Sequence, residues 1–320
     1  MDHFEYRNGE LYAEDISLRL IADEVGSPVY VYSTATLERH YQAFANGVSG
    51  LDPLVCFAVK ANSNIAVIKT LARLGAGADV VSVGELKRAM AAGVPASKII
   101  YSGVGKSEVD LRAALNAGVH QINAESEAEL ELLSKVAVDL GETAQVAIRI
   151  NPNVDAKTHE KITTGKSENK FGVDIALARD VYGRVAKLPG LRVAGVALHI
   201  GSQLTDLKPY REAYAKAAEF VELLRSDGHN ITQLDLGGGL GITYDAEIAP
   251  SPAEYGKMVK EIVGHLGCNV SFEPGRLIAG NAGVLITQVI FIKEGINRKF
   301  CIIDAAMNDL IRPTLYNAYH

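Results

Sequence analysis

An amine stands at the edge of two contrasting surroundings in the segment "LVCFAVKANSN" (54–64), where the apolar residues 55–59 run into Lys60 and then into a small polar turn. A lysine there either reaches out of the fold along its hydrocarbon stem or sits desolvated. In the second case it loses its proton more easily than a free lysine and can condense with an aldehyde as a Schiff base. The run alone leaves both readings open. Three further stretches carry comparable chemistry. In "LDLGGGLGI" (234–242), Gly237, Gly238 and Gly239 can bring backbone N–H groups close to an anion. A dinucleotide fingerprint is excluded, because Gly237, Gly239 and Gly241 give G-x-G-x-G with no acidic residue closing a following unit; a flexible turn is the plain alternative. In "FEPGR" (272–276), Pro274-Gly275 forces a turn that re-aims Arg276 relative to Glu273. The alternative there is a surface ion pair worth ~0–1 kcal/mol. In "ALHIGSQ" (197–203), His199 closes an apolar run and is either a satisfied core histidine or a functional one.

These residues need a scaffold that gathers them. Short apolar runs at 53–60, 77–82, 98–103, 119–125, 145–151, 194–201, 232–239 and 269–275 alternate with amphipathic stretches such as "NIAVIKTLARLG" and "SEAELELLSKVAVDLG". Nearly continuous apolar strands separated by helices predict parallel strands covered on both faces. The fold class is therefore α/β, as a (β/α)8 barrel, which is typically about 250 residues long; a doubly wound sheet is the alternative. Polar residues cluster at the C-terminal ends of the runs: Lys60, Asp79 with Ser82, Ser102, Asn123 with Glu125, Arg149 with Asn151, His199, Asp235 and Glu273. In a barrel these ends share one rim, where active sites lie, and the loops after strands seven and eight are the usual phosphate position. Residues 1–33 read as an N-terminal extension contributing to a β domain, 34–278 as the barrel, and 279–320 as the start of a C-terminal β domain. The latter holds two or three strands within 282–304 and a hairpin loop at "KEGINRK". So few strands leave open edges and a thin core, so the sequence is expected to be a fragment lacking the rest of that domain.

Composition narrows the function classes. The 320 residues are 48% hydrophobic and 22% charged, with net charge -6 and no Lys/Arg cluster, which argues against nucleic acid and an anionic membrane as partners. The opening "MDHFEYRNGE" is no signal peptide. Cys56, Cys268 and Cys301 lack metal-ligand spacing, so a reduced, metal-free, cytoplasmic protein is expected.

Taken in order, "FAVKANSN", "LHIGSQ", "DLGGGLGI", "EPGR" and "DAAMNDLIRPTLYNAYH" resemble the fold-type III pyridoxal-phosphate decarboxylases, whose barrel is shared with alanine racemases. The segment 150–173 also looks like a barrel loop of that group. The resemblance implies pyridoxal phosphate as cofactor, held by Lys60 as a Schiff base. Gly237, Gly238 and Gly239 would surround its phosphate with Gly275 and Arg276 of the Glu273-Pro274-Gly275-Arg276 turn, and Ser202 would add a hydroxyl. His199 would stack on the ring, and Glu273 would meet the ring nitrogen. Arg149 and Asp79 would lie near the 3′-oxygen and the Schiff base. Arg276, Arg312 and Tyr316 would contact substrate. A carboxylate beside the ring nitrogen favours the protonated ring, which is the electron sink decarboxylation needs; racemases of this group place an arginine there instead. The implied activity is loss of carbon dioxide from meso-diaminopimelate to give L-lysine, by a homodimer with shared active sites. Alternatives are decarboxylation of ornithine, arginine or carboxynorspermidine, a non-catalytic pyridoxal-phosphate carrier, or a regulatory fragment with a vestigial site. The group's Cys-Glu motif has no counterpart here, Cys301 lying before "DAAMNDL". If the chain ends at His320, weakened cofactor binding and nearly absent turnover are expected.

Overall fold

Strands that are apolar on both faces cannot form a sheet with one wet side, and here they close on themselves. The computed structural model describes residues 3–155 and 170–320; most of the loop at 150–173 lies outside the described residues. The barrel strands are Leu54–Ala58, Gly77–Val80, Ile99–Tyr101, Gln121–Ala124, Ala144–Asn151, Leu191–Ala197, Gln233–Asp235 and Asn269–Phe272. Each pairs in parallel with its neighbours, and the circle is completed where Ser271 and Phe272 of the eighth strand face Leu54 and Val55 of the first. This closure excludes the doubly wound alternative. All eight expected runs are strands.

Helices cover the outside. Asn64, Ser107, Ser126 and Ser251 each accept a backbone N–H at a helix start, the ordinary way to satisfy the first free donors. Ser82, read from sequence as a rim residue, is also such a cap, accepting from Glu85 N at 3.2 Å. The helix directly after the eighth strand, Arg276–Ala279, is a single turn. The resulting gap in the helical layer is filled by Thr34–Val48, the helix preceding the first strand, which lies against Pro252–Val263. Phe44 anchors it, with ring centroids 5.6 Å from Phe272 and 6.0 Å from Tyr255. At the crossing, a Cβ on Gly256 would fall 1.9 Å from the Gly47 carbonyl oxygen. The two backbones touch because neither residue has a side chain. Gly256→Ala should therefore cost about 1–3 kcal/mol of stability through forced overpacking, visible as a lowered thermal midpoint, whereas Gly264→Ala at the end of the same helix, with 3.4 Å to the flexible Lys260 side chain, should change little.

Outside the barrel, Val29–Tyr32 pairs antiparallel with Gly283–Ile286. This pairing ties the N-terminal extension to the chain leaving the barrel. Phe4–Arg7, Glu10–Ala13 and Ile16–Ser17 form a three-stranded sheet, and Val289–Glu294 with Lys299–Ile303 form the expected hairpin, turning where Gly295 N donates to Arg298 O. No described helix is long and apolar enough to cross a membrane.

Candidate active site

Lys60 sits in a single 3-10 turn, Val59–Ala61, directly after the first barrel strand. Its Nζ donates to Asp79 Oδ2 at 2.6 Å. Asp79 faces it because residues 58 and 79 are register partners on strands one and two. The Lys60 side chain is 49% accessible, since it lines an open cavity, whereas Asp79 is fully enclosed. Of the two readings the run left open, the loosened proton does not hold for the cofactor-free site. Burial does press the ammonium toward neutrality, but the acids around it outweigh that, Asp79 first by its charge and hydrogen bond and then the acidic cluster at Glu273, so its pKa lies above the ordinary lysine value. Negative charge across the cavity decides the matter against desolvation.

The cavity has a volume of about 550 Å³ and is lined by Lys60, His199, Ser202, Gly239, Glu273, Gly275, Arg276 and Tyr316, together with Tyr244 and others. A smaller recess of about 200 Å³ adjoins it and brings Arg149 beside Lys60, His199 and Glu273. Arg149 is held by Glu125 Oε1 at 2.8 Å and donates to the His199 carbonyl at 3.2 Å. His199 accepts from Gly238 N through Nδ1 at 3.2 Å. Burial first, then the nearby charges of Arg149 and Lys60, hold the imidazole well below its usual pKa, so His199 presents a neutral ring at physiological pH.

The glycine loop behaves differently from expectation at two positions. Gly237 N donates to Asp235 Oδ1 at 2.9 Å and Gly238 N to His199, so both donors are engaged within the protein and Gly239 is the member lining the cavity. The glycines at 238 and 239 are required sterically: a Cβ would meet the carbonyl of Glu273 or of Gly201 at 2.2 Å. Close approach of three strand-end loops, more than N–H supply, is what excludes side chains here.

The Glu273-Pro274-Gly275-Arg276 turn locks onto the first strand through Ala58 N, which donates to Pro274 O at 3.1 Å. Gly275 is tightly enclosed, since a Cβ would lie 3.1 Å from the Cβ atoms of Ala58 and Ala61. Arg276 is aimed by Ser202, whose Oγ accepts from Nε at 3.3 Å and Nη2 at 3.2 Å, and by Tyr244, whose hydroxyl accepts from Nη1 at 2.6 Å. Arg312 Cζ lies 3.8 Å over the Tyr244 ring, so it reaches the site through that tyrosine, while Tyr316 lines the cavity directly. Glu273 is buried, and burial first, then the charges of Asp235 and Asp79, push its carboxyl well above the usual range.

The sequence reading assigned no role to Ser102, Asn123, Asp235 or Tyr244. The first three had a signal, being polar at strand ends, and all three surround Glu273. Tyr244 had none, since only the folded loop brings it between two arginines.

The donor set fits pyridoxal phosphate: an amine for the aldehyde, a buried carboxyl for the ring nitrogen, and a guanidinium with a hydroxyl for the phosphate. Asp79 Oδ1, buried without a hydrogen-bond partner among the described residues, is the kind of charge a cationic group would offset. Residues 34–280 match the family described as pyridoxal-dependent decarboxylase, pyridoxal binding domain, and the chain belongs to that family. Within it, the chain is 50% identical over its whole length to the diaminopimelate decarboxylase of Vibrio cholerae and 52% identical to that of Pseudomonas fluorescens, in each case spanning 77% of the relative. Among solved structures, diaminopimelate decarboxylase from Helicobacter pylori complexed with L-lysine superposes with TM-score 0.91 at 39% identity, over 94% of this chain and 76% of that one. The M. jannaschii enzyme in co-complex with L-lysine gives 0.93 at 37% identity, over 99% and 76%.

Proposed function

We propose that the chain decarboxylates meso-diaminopimelate to L-lysine with pyridoxal phosphate attached to Lys60. The observation that carries this reading is the convergence of Lys60, Glu273 and Arg276 on one cavity in a chain half identical to diaminopimelate decarboxylases. When bound, pyridoxal phosphate supplies a cationic ring that accepts the electron pair left by the departing carboxyl group. Lys60 anchors the aldehyde and afterwards holds a proton beside the reacting carbon. Asp79 orients Lys60. Glu273 keeps the ring nitrogen protonated, and neutral His199 walls one side of the cavity without adding competing charge. Arg276, Ser202, Gly239 and Gly275 bind the phosphate end. Arg149 braces His199, and Arg312 with Tyr316 and Arg276 receives the substrate's carboxylate. Gly237, Gly238 and Pro274 serve the same site by setting its backbone.

The same reading includes a homodimer with shared active sites in the cytoplasm. The apolar side chains exposed along Val289–Glu294 support an association of this kind.

The test compares carbon dioxide release from meso-diaminopimelate, ornithine, arginine and carboxynorspermidine. Fastest release from diaminopimelate is expected; preference for another substrate, or no release from any, overturns the assignment. A second check addresses the phosphate. Ser202→Ala should weaken pyridoxal phosphate binding about 2- to 13-fold, the range for one hydrogen bond of roughly 0.5–1.5 kcal/mol, read by fluorescence titration.

A further inference from the structure

We propose that the buried Asp235 and Glu273 carboxyl groups share a single proton before the cofactor binds, that Asn123 keeps it on the Glu273 side, and that this same proton is the one transferred to the cofactor's ring nitrogen. The inference rests on the pyridoxal-phosphate reading above. Asp235, which lines the adjoining recess, is thereby a positioning residue acting through Glu273.

The geometry comes from four strands. Asn123 Nδ2 lies 2.7 Å from Asp235 Oδ2 and 3.3 Å from Glu273 Oε1, so one amide group spans both acids. Its orientation is fixed from behind, because Gln121 Nε2 donates to Asn123 Oδ1 at 2.8 Å. With its oxygen taken, the amide must turn its N–H groups toward the carboxyls. Asp235 receives a second donor from Gly237 N at 2.9 Å. Among the described residues, the donors to Glu273 stand farther off, the second being Ser102 Oγ at 3.3 Å, and its closer partner is the Asp235 carboxyl itself. The acid with two good donors keeps the charge and the other carries the proton.

Charge balance agrees. Glu273 is faced by Asp235 from strand seven, Asp79 from strand two, Ser102 and Asn123 from strands three and four, and Lys60 and Cys56 from strand one. Lys60 is engaged with Asp79 at 2.6 Å, and Arg149 with Glu125 at 2.8 Å. The Cys56 thiol is pushed up by burial and by these same acids, so it stays neutral. His199 is neutral as well. Among the described residues, three buried carboxyl groups therefore face one ammonium, and two adjacent carboxylates in such a place do not both ionise. On cofactor binding, the O–H bond of Glu273 breaks, an N–H bond forms on the ring nitrogen, and Glu273 remains as the carboxylate beside the cation it created. No proton is drawn from solvent for the ring.

Difference infrared spectroscopy of the cofactor-free chain tests this directly. A protonated-carboxyl band is expected at neutral pH in the wild type, absent in Glu273→Gln, and bleached when pyridoxal phosphate is added. In Asp235→Asn the band should vanish at a pH lower by about one unit or more, as the neighbouring charge is removed. Should Asp235→Asn fail to fold, thermal melting of the other two chains carries the test. A carboxyl whose folded pKa exceeds its unfolded value of 4.5 makes the folded chain hold the extra proton, so stability declines as pH rises from there. The wild type should accordingly lose thermal midpoint relative to Glu273→Gln over that rise. Absence of the band, or parallel melting of the two chains at every pH, overturns the proposal. Failure of pyridoxal phosphate to become fixed to Lys60 would instead sink the cofactor reading while leaving the band in place.

Discussion

Lys60→Ala is expected to lose decarboxylation by at least ~10³-fold, together with covalent attachment of the cofactor. The two losses have one cause, since the same nitrogen anchors the aldehyde and later carries a proton. Borohydride treatment followed by mass measurement reads the first, and carbon dioxide release reads the second. Lys60→Arg separates charge from chemistry. Its guanidinium keeps a positive group against Asp79 but does not give up its proton near neutral pH, so it should preserve the fold's charge balance and be as inactive as the alanine variant. The raised proton affinity of Lys60 in the cofactor-free site adds a kinetic consequence. Attachment needs the neutral amine, so its rate should climb with pH through the neutral and mildly alkaline range. A Lys60→Ala chain that still retains pyridoxal phosphate through borohydride, or still turns over, contradicts the assignment of the amine.

Glu273→Gln should lower kcat by roughly 10- to 10³-fold, the range corresponding to one to three pKa units lost from a ring nitrogen when its neighbouring opposite charge is removed. KM should move far less, because Glu273 is held by Ser102 and Asn123, whereas Arg276 is held by Ser202 and Tyr244. The bound cofactor's absorbance, titrated with pH, would show the ring's proton leaving earlier than in the wild type. Glu273→Arg carries the argument further: a fixed cation opposes ring protonation outright, so it should be the more damaging change. Unchanged kcat in Glu273→Gln would remove the reason for reading the site as a decarboxylase's electron sink.

Much of this protein was written locally. Residues 55–59 are apolar at every position and 77–80 at all but Asp79, which only strands buried on both faces require. The polar residue ending each run marked the rim before any tertiary contact was known, so Lys60, His199 and Glu273 were legible as a set. Local pattern also gave the hairpin at Gly295 and the turn through Pro274-Gly275, where backbone restrictions act within a few residues.

Other features depend on residues far apart in the chain. Thr34–Val48 completes the helical layer only because the eighth strand is followed by a single turn of helix, and nothing within 34–48 announces that gap. Tyr244 gains its place between Arg276 and Arg312 by loop geometry alone. The charge of Lys60 stayed open in the sequence for the same reason. Burial is foreseeable from an apolar run, but the acids that reverse its effect arrive from other strands, Asp79 of strand two first. Ser102 and Glu273 meet across 171 residues, and Asn123 and Asp235 across 112. Sequence by itself determined which elements form and which ends are polar, since periodicity and burial are local properties. Tertiary structure decided which polar groups share protons and charge, because electrostatic balance depends on distances that only barrel closure sets.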